Sequence, residues 1–326
     1  MNIGLTYDLR SEYLGQGYTE EETAEFDRED TIEAIEKALA ELGHRTERIG
    51  NVKDLVKALA GGGRWDLVFN IAEGLYGIGR EAQVPAVLDA YGMPYTFSDP
   101  LVLSLTLHKG MTKRVIRDAG VATAPFVVVD PGEPVPSIPF PPPYFVKPVA
   151  EGTGKGVTQE SLVERKEDLS GACTRLAHRF LQPVLVEGFL PGREFTVGIV
   201  GTGPKAEVLG TMEVILGSRA EQGVYSYGNK AQYEDRVEYR LCHAGEPLIA
   251  RGEALSLTAY KVLGCRDAGR VDLRCDGEGR PHFLEINPLA GIHPVHSDLP
   301  ILCSLLKVPY VSLIGRIVAS AMERVH

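Results

Sequence analysis

The sequence lacks long hydrophobic runs, and this excludes membrane proteins of the helical class. No segment approaches the ~18 uninterrupted apolar residues that a membrane helix needs. The first residues have no basic stretch leading into an apolar run, as a signal peptide would. We therefore expect a cytoplasmic protein with no membrane partner.

Cysteine is also scarce, and its spacing excludes two kinds of site. The five cysteines are odd in number, widely spread and without a C-x-x-C pair. Neither a disulfide framework nor a zinc site fits that pattern. We expect free and mostly buried thiols.

Positive charge is in the minority. The chain has 326 residues, with 34 Lys plus Arg against 44 Asp plus Glu, and a net charge of −10. A nucleic-acid partner is not expected, because phosphate neutralisation needs a surplus of basic residues. The length suits two or three domains.

The first hundred residues alternate short apolar runs with helical patterns. Residues 3–7 and 67–71 read as buried strands. Between them we predict a helix with Asp30 as its N-cap and Gly43 at its end, and a second helix over residues 52–60. This pattern is typical of a small, doubly wound α/β domain.

Prolines crowd residues 130–143, and the pattern then changes. So many prolines predict an extended surface connection. A proline-rich ligand for a partner protein is the alternative, but the segment leads directly into apolar residues 144–146. Beyond it we expect antiparallel strands with helices, including a hairpin that turns at residues 276–279.

The first chemical motif is Lys147 followed by a glycine-rich loop at residues 151–156. Glycines let backbone amides surround an anion, so the loop is a candidate phosphate cradle. It does not match the P-loop pattern. A plain hairpin turn is the alternative interpretation.

Two acids, Glu187 and Glu194, bracket a turn between apolar strands in the second motif. They suit the amino group of a base and the hydroxyls of a ribose, while Phe189 and Leu190 offer an apolar wall. Two solvated glutamates are the alternative.

The third motif lies on the predicted hairpin, where Asp272 and Glu285 should face the same way and Asn287 shares that face. Acids inside apolar strands are costly unless they are paired or bind a metal. Their hard oxygen ligands suit Mg²⁺.

These motifs, in this order, resemble the ATP-grasp superfamily, and within it the D-alanine–D-alanine ligase family. The resemblance implies an α/β and α+β chain, with an ATP-grasp fold and an N-terminal doubly wound α/β (pre-ATP-grasp) domain. The implied boundaries are residues 1–103 for the N-terminal substrate-side domain, 104–187 for the central lobe and 188–326 for the C-terminal lobe.

The resemblance also implies a role for each matching residue. Lys109 and Lys147 match lysines that hold the phosphates of ATP, and Lys230 matches a lysine that reaches the terminal phosphate. Glu187 matches the acid at the adenine amino group and Glu194 the acid at the ribose. The flap over the phosphates matches the loop that contains Glu151, Gly152, Thr153 and Gly154.

Metal and oxyanion groups follow from the same resemblance. Asp272, Glu285 and Asn287 match the ligands of two Mg²⁺ ions, for which Mn²⁺ can substitute. Arg270 and the Gly291 amide match groups that stabilise the oxyanion of a tetrahedral intermediate.

The departures from the family lie on the substrate side. The family's His-Gly-x-x-Gly-Glu-Asp loop is replaced by residues 70–74, which include Glu73. Glu25 or Asp27 could take the place of the acid that anchors the substrate amine, although a solvated acidic face explains that stretch equally well.

Near the C-terminal motif, Ser297 matches a serine that grips the second substrate's carboxylate only with a one-residue insertion. His293 and His296 lack the third ligand of a metal site, so we expect them to line the substrate pocket or to have a structural role.

We therefore expect an ATP- and Mg²⁺-dependent carboxylate–amine ligase that forms a peptide bond through an acyl-phosphate, with small amino-acid or peptide substrates. A cell-wall pathway and a homodimer would be usual for the family. The alternatives are a ligase for other amino acids or peptides and a non-catalytic nucleotide-binding module.

Overall fold

The structure is a computed structural model that describes residues 1–217 and 237–325. Its strands are β1 (Asn2–Thr6), β2 (Arg45–Gly50), β3 (Leu67–Asn70), β4 (Phe126–Val129), β5 (Tyr144–Pro148), β6 (Leu162–Val163), β7 (Val184–Gly188), β8 (Glu194–Val200), β9 (Glu207–Leu216), β10 (Val237–Leu241), β11 (Ala268–Cys275) and β12 (Pro281–Asn287). Its α-helices are α1 (Arg10–Gly15), α2 (Glu29–Glu41), α3 (Val52–Ala60), α4 (Gln83–Ala90), α5 (Pro100–Leu107), α6 (Lys109–Asp118), α7 (Leu169–Phe180), α8 (Pro247–Leu263), α9 (Asp298–Leu305) and α10 (Tyr310–Met322). Short 3₁₀ turns cover Arg80–Ala82, Gln159–Ser161, Lys166–Asp168 and Gly203–Lys205.

The N-terminal sheet is parallel, with strand order β2-β1-β3. The apolar residues of α2 pack on β1 and β3 in one buried core, as their helical spacing predicts. Helix α3 begins and ends at the predicted residues, and the Asn51 side chain caps it by accepting from Lys53 N at 2.9 Å.

The predicted N-cap of α2 is wrong. The helix begins at Glu29, so Arg28 is the residue before it and Asp30 lies in the first turn. An acid in the first turn still faces the positive end of the helix dipole, which explains why the sequence signal is close to the true start. Gly43 follows the helix with φ +82°, a conformation that glycine adopts readily.

Two antiparallel sheets make up the rest of the described fold. Their strand orders are β4-β7-β5-β6 and β10-β9-β8-β11-β12. The proline-rich residues 130–143 contain neither helix nor strand and lead into β5, and β11 and β12 form the predicted hairpin. Four of the five free cysteines are buried and Cys242 is half-buried.

The predicted domain boundaries stay a prediction. Strands β7 and β8 belong to different sheets, and β7 ends at residue 188. No single described helix is long and apolar enough to cross a membrane. Helices α9 and α10 have sufficient length and apolar character only when taken together, and they are bent by 119° at their junction.

Candidate active site

A cleft of about 840 Å³ lies between the two antiparallel sheets, lined by residues of β5, β7, β8, β11 and β12. Ten of the residues singled out in the sequence line it together: Lys109, Lys147, Glu151, Gly154, Glu187, Phe189, Leu190, Glu194, Asp272 and Glu285. The three chemical motifs therefore meet in one cavity.

Lys109 begins helix α6 and points its amine at the glycine loop and the hairpin. Its Nζ donates to the Glu151 carbonyl at 2.5 Å and lies 3.7 Å from a carboxylate oxygen of Glu285. Burial lowers the pKa of Lys109, and the charge of Glu285 opposes that effect. An anion in the cleft would therefore stabilise the charged amine.

Glu187 lines the cleft and lies between two lysines. Its carboxylate oxygens are 2.5 Å from Lys113 Nζ and 2.9 Å from Lys147 Nζ. Burial alone would raise the pKa of Glu187, but the two lysines outweigh it and lower that pKa. Burial likewise opposes the charged form of Lys147, yet the pKa of Lys147 is raised because Glu187 stabilises the cation.

Lys113 was missed in the sequence. It is 0% exposed and also donates to Thr123 Oγ1 at 2.7 Å and to the Phe283 carbonyl at 3.2 Å. The available signal is its spacing, since a lysine four residues after Lys109 lies on the same face of a helix.

One wall of the cleft is formed by aromatic side chains. The rings of Phe145 and Phe189 stack with centroids 6.4 Å apart, and the Arg274 guanidinium lies 5.2 Å from the centroid of Phe189. Arg274 also pairs with Glu194 at 3.3 Å, and Leu190 is buried beside this wall. Such a surface offers a flat apolar face next to a carboxylate, which suits a nucleoside.

The hairpin brings the predicted metal ligands together. In the register of the two strands, Asp272 stands directly opposite Glu285, and Arg270 stands opposite Asn287. Thr196 donates to Asp272 Oδ1 at 2.8 Å, while Arg270 contacts Asp272 and lies 3.3 Å from Asp298. Burial opposes the charge of Arg270, but these acids raise its pKa.

The fit of these residues to a metal rests on their donor chemistry. Within residues 1–217 and 237–325 no group of three His, Cys, Asp or Glu side chains could hold a metal ion. The predicted set is instead two carboxylates and an amide. The Asn287 Nδ2 is buried and has no protein partner in that part of the chain, so no hydrogen bond from this nitrogen fixes the orientation of the amide. A hard all-oxygen set of this kind suits Mg²⁺.

Glu25 and Asp27, between which the sequence did not decide, lie in different surroundings. Glu25 contacts Arg80 Nη2 at 2.8 Å, the Gly152 amide at 2.5 Å and Lys155 Nζ at 3.4 Å. It therefore faces the glycine loop. Lys155 stands in the glycine-rich loop that the sequence highlighted, but neither its link to Glu25 nor that of Arg80 could be read from spacing.

Asp27 lies in a negative environment. Burial raises the pKa of Asp27 to about 7, and the charges of Asp8 and Asp30 add to this effect. A hydrogen bond from Thr31 acts in the opposite direction. Tyr310 has a pKa raised by burial and by the charge of Asp27, and its hydroxyl donates to the Ile292 carbonyl at 3.0 Å. The charge of Asp27 therefore acts on Tyr310, whose hydroxyl contacts Ile292, the residue after Gly291.

Glu73 adds to the same negative region. Its pKa is raised well above the usual value by burial and by Glu81, Glu25 and Asp27. Burial also raises the pKa of Glu81 to about 7. These acids favour a bound cation.

Residues 291–297 form a tight turn. The Nδ1 atom of His293 accepts from the amides of Val295 and His296 at 3.1 Å, and Ser297 Oγ accepts from the His293 amide at 3.0 Å. His293 Nε2 lies 3.3 Å from Asp30. His293 therefore has a structural role, while the ring of His296 lies next to it, tilted by 30° with ring centroids 4.4 Å apart.

Gly291 and Thr153 occupy constrained backbone positions. A Cβ at Gly291 would lie 2.8 Å from Ser297 Oγ, so a side chain there would displace the serine. Thr153 has φ +49° in the glycine loop, and its hydroxyl is buried without a partner among the described residues. Lys230 lies outside the described residues.

Comparison with known proteins supports the motif-based interpretation. The D-ala D-ala ligase C-terminus family matches residues 115–319. The D-alanine–D-alanine ligase of Bordetella petrii is 34% identical over 266 residues, covering 80% of this chain and 78% of the relative. The chain belongs to the D-alanine–D-alanine ligase family.

Other relatives extend the match. An uncharacterised protein of Sinorhizobium fredii is 33% identical over 303 residues, covering 90% of this chain and 87% of its own. The crystal structure of the Bacillus anthracis D-alanine–D-alanine ligase complexed with ATP superposes with a TM-score of 0.75 at 20% identity, covering 99% of this chain and 98% of the other. The ATP-grasp fold predicted from the sequence is thereby confirmed.

The predicted enzyme class is confirmed with the family. The chain is an ATP-dependent ligase that forms carbon–nitrogen bonds and acts on small-molecule substrates. The non-catalytic nucleotide-binding module is set aside.

Proposed function

We propose that this ligase joins two amino acids through an acyl-phosphate, with D-alanine as both substrates. The observation that carries the proposal is the convergence of Lys109, Lys147 and the Asp272–Glu285 pair on one cleft beside the glycine loop. Phosphoryl transfer depends mainly on positioning and charge neutralisation, and this convergence supplies both.

ATP would lie along the cleft with its base at the aromatic wall. Leu190 and Phe189 would contact the adenine, Glu187 its amino group and Glu194 the ribose hydroxyls. Lys109, Lys147 and the amides of the glycine loop would bind the phosphates, and we assign the terminal phosphate to Lys230 as well. These assignments rest on the common cavity and on the family resemblance.

Mg²⁺ would be held by Asp272, Glu285 and Asn287, with Mn²⁺ as a substitute. When bound, it would supply positive charge that neutralises the phosphates during transfer.

The first step is phosphoryl transfer. A carboxylate oxygen of the first amino acid attacks the γ-phosphorus, the bond to the β-phosphate oxygen breaks, and ADP leaves.

The second step forms the peptide bond. The neutral amine of the second amino acid attacks the acyl carbon, inorganic phosphate leaves, and the amine loses a proton to solvent. Arg270 and the Gly291 amide would stabilise the tetrahedral oxyanion, an effect worth ~3–4 kcal/mol per donor in comparable sites. Arg270 suits this task because Asp272 and Asp298 hold its guanidinium in place.

We assign the amine of the first amino acid to Asp27, with Glu73 beside it. Glu25 is already surrounded by Arg80, Lys155 and the Gly152 amide, whereas the charge of Asp27 acts on Tyr310, whose hydroxyl donates to the Ile292 carbonyl next to Gly291. We place the second amino acid's carboxylate at Ser297, with His296 at the pocket edge.

A ligase for other amino acids or short peptides is the second candidate. The observation that favours it is the loop after β3, where residues 70–74 replace the family's histidine and acid pair. The rest of the catalytic machinery would be unchanged, and the pocket at Asp27 and Glu73 would select the first amino acid.

The test is phosphate release from ATP and Mg²⁺ with D-alanine, then with L-alanine, other D- and L-amino acids and dipeptides. We expect release with D-alanine and a dipeptide product by mass spectrometry. Background release without an amino acid is the control. Release only with another substrate would establish the second candidate, and chelation of the metal should stop the reaction in either case.

A homodimer and a cytoplasmic location complete the proposal. Light scattering on the purified chain tests the first, and cell fractionation tests the second. Neither result changes the chemistry assigned to the cleft.

A further inference from the structure

The glycine loop is held from two directions. From within its own lobe, Gln182 accepts from the Ala150 amide at 2.6 Å and donates to Glu151 at 2.7 Å. From the N-terminal part of the chain, Glu25 accepts from the Gly152 amide at 2.5 Å. The second contact joins residues 127 positions apart and links the amino-acid side to the ATP side.

Arg80 strengthens this link. Its Nη2 donates to Glu25 at 2.8 Å and its Nη1 donates to the Ala150 carbonyl at 2.9 Å. A planar guanidinium can make both bonds at once, which a lysine cannot do with the same geometry. Arg80 and Glu25 are both more than nine-tenths buried, so water competes little for these bonds.

Lys155 completes the cluster at the far end of the loop. Its Nζ lies 2.7 Å from Glu151 and 3.4 Å from Glu25, and its side chain lines the cleft. Glu25 therefore contacts the loop at Gly152 and Lys155, and reaches Ala150 through Arg80.

The close approach of Glu25 requires glycine at residue 152. A Cβ there would lie 2.4 Å from Glu25 Oε1. Even alanine would force the carboxylate or the loop to move.

We propose that Glu25 is a positioning residue which, together with Arg80, holds the glycine loop against the cleft and so sets the affinity for ATP. This role for Glu25 depends on the proposed function in one respect only, namely that ATP binds in this cleft. A loop that is ordered before binding loses less conformational freedom when its amides contact phosphate.

This role differs from binding the substrate amine. A carboxylate has about four lone-pair positions, and Arg80, Gly152 and Lys155 already occupy much of that capacity at Glu25. An amine-binding acid would affect the amino acid's KM, whereas a positioning acid affects ATP binding with no amino acid present.

The experiment compares Glu25→Gln with the wild type by calorimetric titration of ATP and Mg²⁺ without amino acid, and by hydrogen exchange of residues 150–157. We expect about tenfold weaker ATP binding, since hydrogen bonds to a charged acceptor are lost, and faster exchange at these amides. Arg80→Lys should give a smaller change in the same direction.

Glu21→Gln is the matched control. Glu21 lies in the same acidic segment and pairs with Arg179 at 2.7 Å, but that pair is exposed and does not touch the glycine loop. We expect wild-type ATP affinity and wild-type exchange for this variant.

Gly152→Ala keeps every charge and displaces only the contact, so it decides the matter if Glu25→Gln is poorly folded. Unchanged ATP affinity and exchange in either folded variant, with an effect on the amino acid's KM alone, would overturn the proposal. Failure of the proposed function would appear separately, as wild-type protein that binds ATP but releases no phosphate with any amino acid.

Discussion

Buried or half-buried carboxylates occur on both sides of the proposed catalytic cleft, but their neighbours differ. On the ATP side, Glu187 contacts two lysines and Asp272 contacts Arg270. On the amino-acid side, Asp27, Glu73 and Glu81 have raised pKa values, because burial acts on them together with neighbouring acids. Arg80 also lies near these acids, but its guanidinium forms an ion pair with Glu25.

The difference reflects the ligand that each side is expected to receive. ATP brings its own negative charge, so its site must hold cations in place before ATP arrives, and paired acids hold them there. An amino acid brings an ammonium group, which can supply the positive charge that the acids lack. The family resemblance is closest where charges are paired and weakest where they are not.

The largest expected effect is at the hairpin. Glu285→Ala removes one of the two facing carboxylates, and we expect turnover to fall about 1,000-fold or more, equivalent to ~4 kcal/mol of transition-state stabilisation. Phosphate release measures the loss, and the melting temperature should change little.

The matched control is Glu278→Ala, at the exposed turn of the same hairpin, which should keep wild-type activity. Near-normal turnover in Glu285→Ala would disprove the metal assignment on the ATP side.

Asp27→Asn tests the unpaired side. We expect the KM of the first amino acid to rise about 30- to 100-fold, because a charge-assisted hydrogen bond to the ammonium is worth ~2–3 kcal/mol. The affinity for ATP should not change, in contrast to Glu25→Gln. Glu33→Gln, an exposed acid on α2, is the control. If Asp27→Asn weakened ATP binding instead, the two acids would have been assigned the wrong way round.

The same variant has a pH-dependent effect on stability. The pKa of Asp27 is about 7 in the folded chain and 3.8 as its ordinary value, so the unfolded chain ionises first as the pH rises. The contribution of Asp27 to stability therefore decreases between about pH 4 and pH 7 and stays low above that range. The melting temperature of Asp27→Asn relative to wild type should be more favourable at pH 8 than at pH 4. Equal differences at the two values would show that Asp27 is not buried in a negative environment.

The ATP side was largely predictable from the sequence because its chemistry lies in short segments. The Asp272–Glu285 pair follows from strand alternation and a four-residue turn, and the hairpin register confirms it. Glu187 and Glu194 likewise stand at the ends of recognisable strands. Local periodicity is enough to place such residues.

The amino-acid side was not predictable in the same way, because it depends on contacts between distant segments. Glu25 meets Gly152 across 127 residues, and the charge of Asp27 acts on Tyr310. No spacing rule distinguishes Glu25 from Asp27 within an acidic stretch. Only tertiary packing separates them.

Lys113→Met tests whether paired charge matters on the ATP side. With Lys113 present, Glu187 shares its negative charge between two lysines, so Lys147 keeps positive charge for a phosphate. Without it, Glu187 would neutralise Lys147. We expect about tenfold weaker binding of ATP and little change for adenosine, which has no phosphate.

Lys37→Met, the same substitution at an exposed position on α2, is the control for Lys113→Met. Equal weakening of ATP and adenosine would show that Lys113 supports the fold of the lobe and not the charge at Lys147.

The smallest expected effect is that of Ser297→Ala, at the acceptor end of the amino-acid side. The hydroxyl of Ser297 accepts from the His293 amide, which leaves its proton for a substrate carboxylate. Loss of one such bond should raise the KM of the second amino acid about 5- to 10-fold, with kcat nearly unchanged. Ser297→Thr keeps the hydroxyl and should restore most of the affinity, while Ser304→Ala, at an exposed position of α9, should have no effect. A fall in melting temperature without a change in KM would instead assign Ser297 to the turn that His293 organises. The carboxylate of the second amino acid would then need another donor, and His296 is the neighbouring residue to vary next.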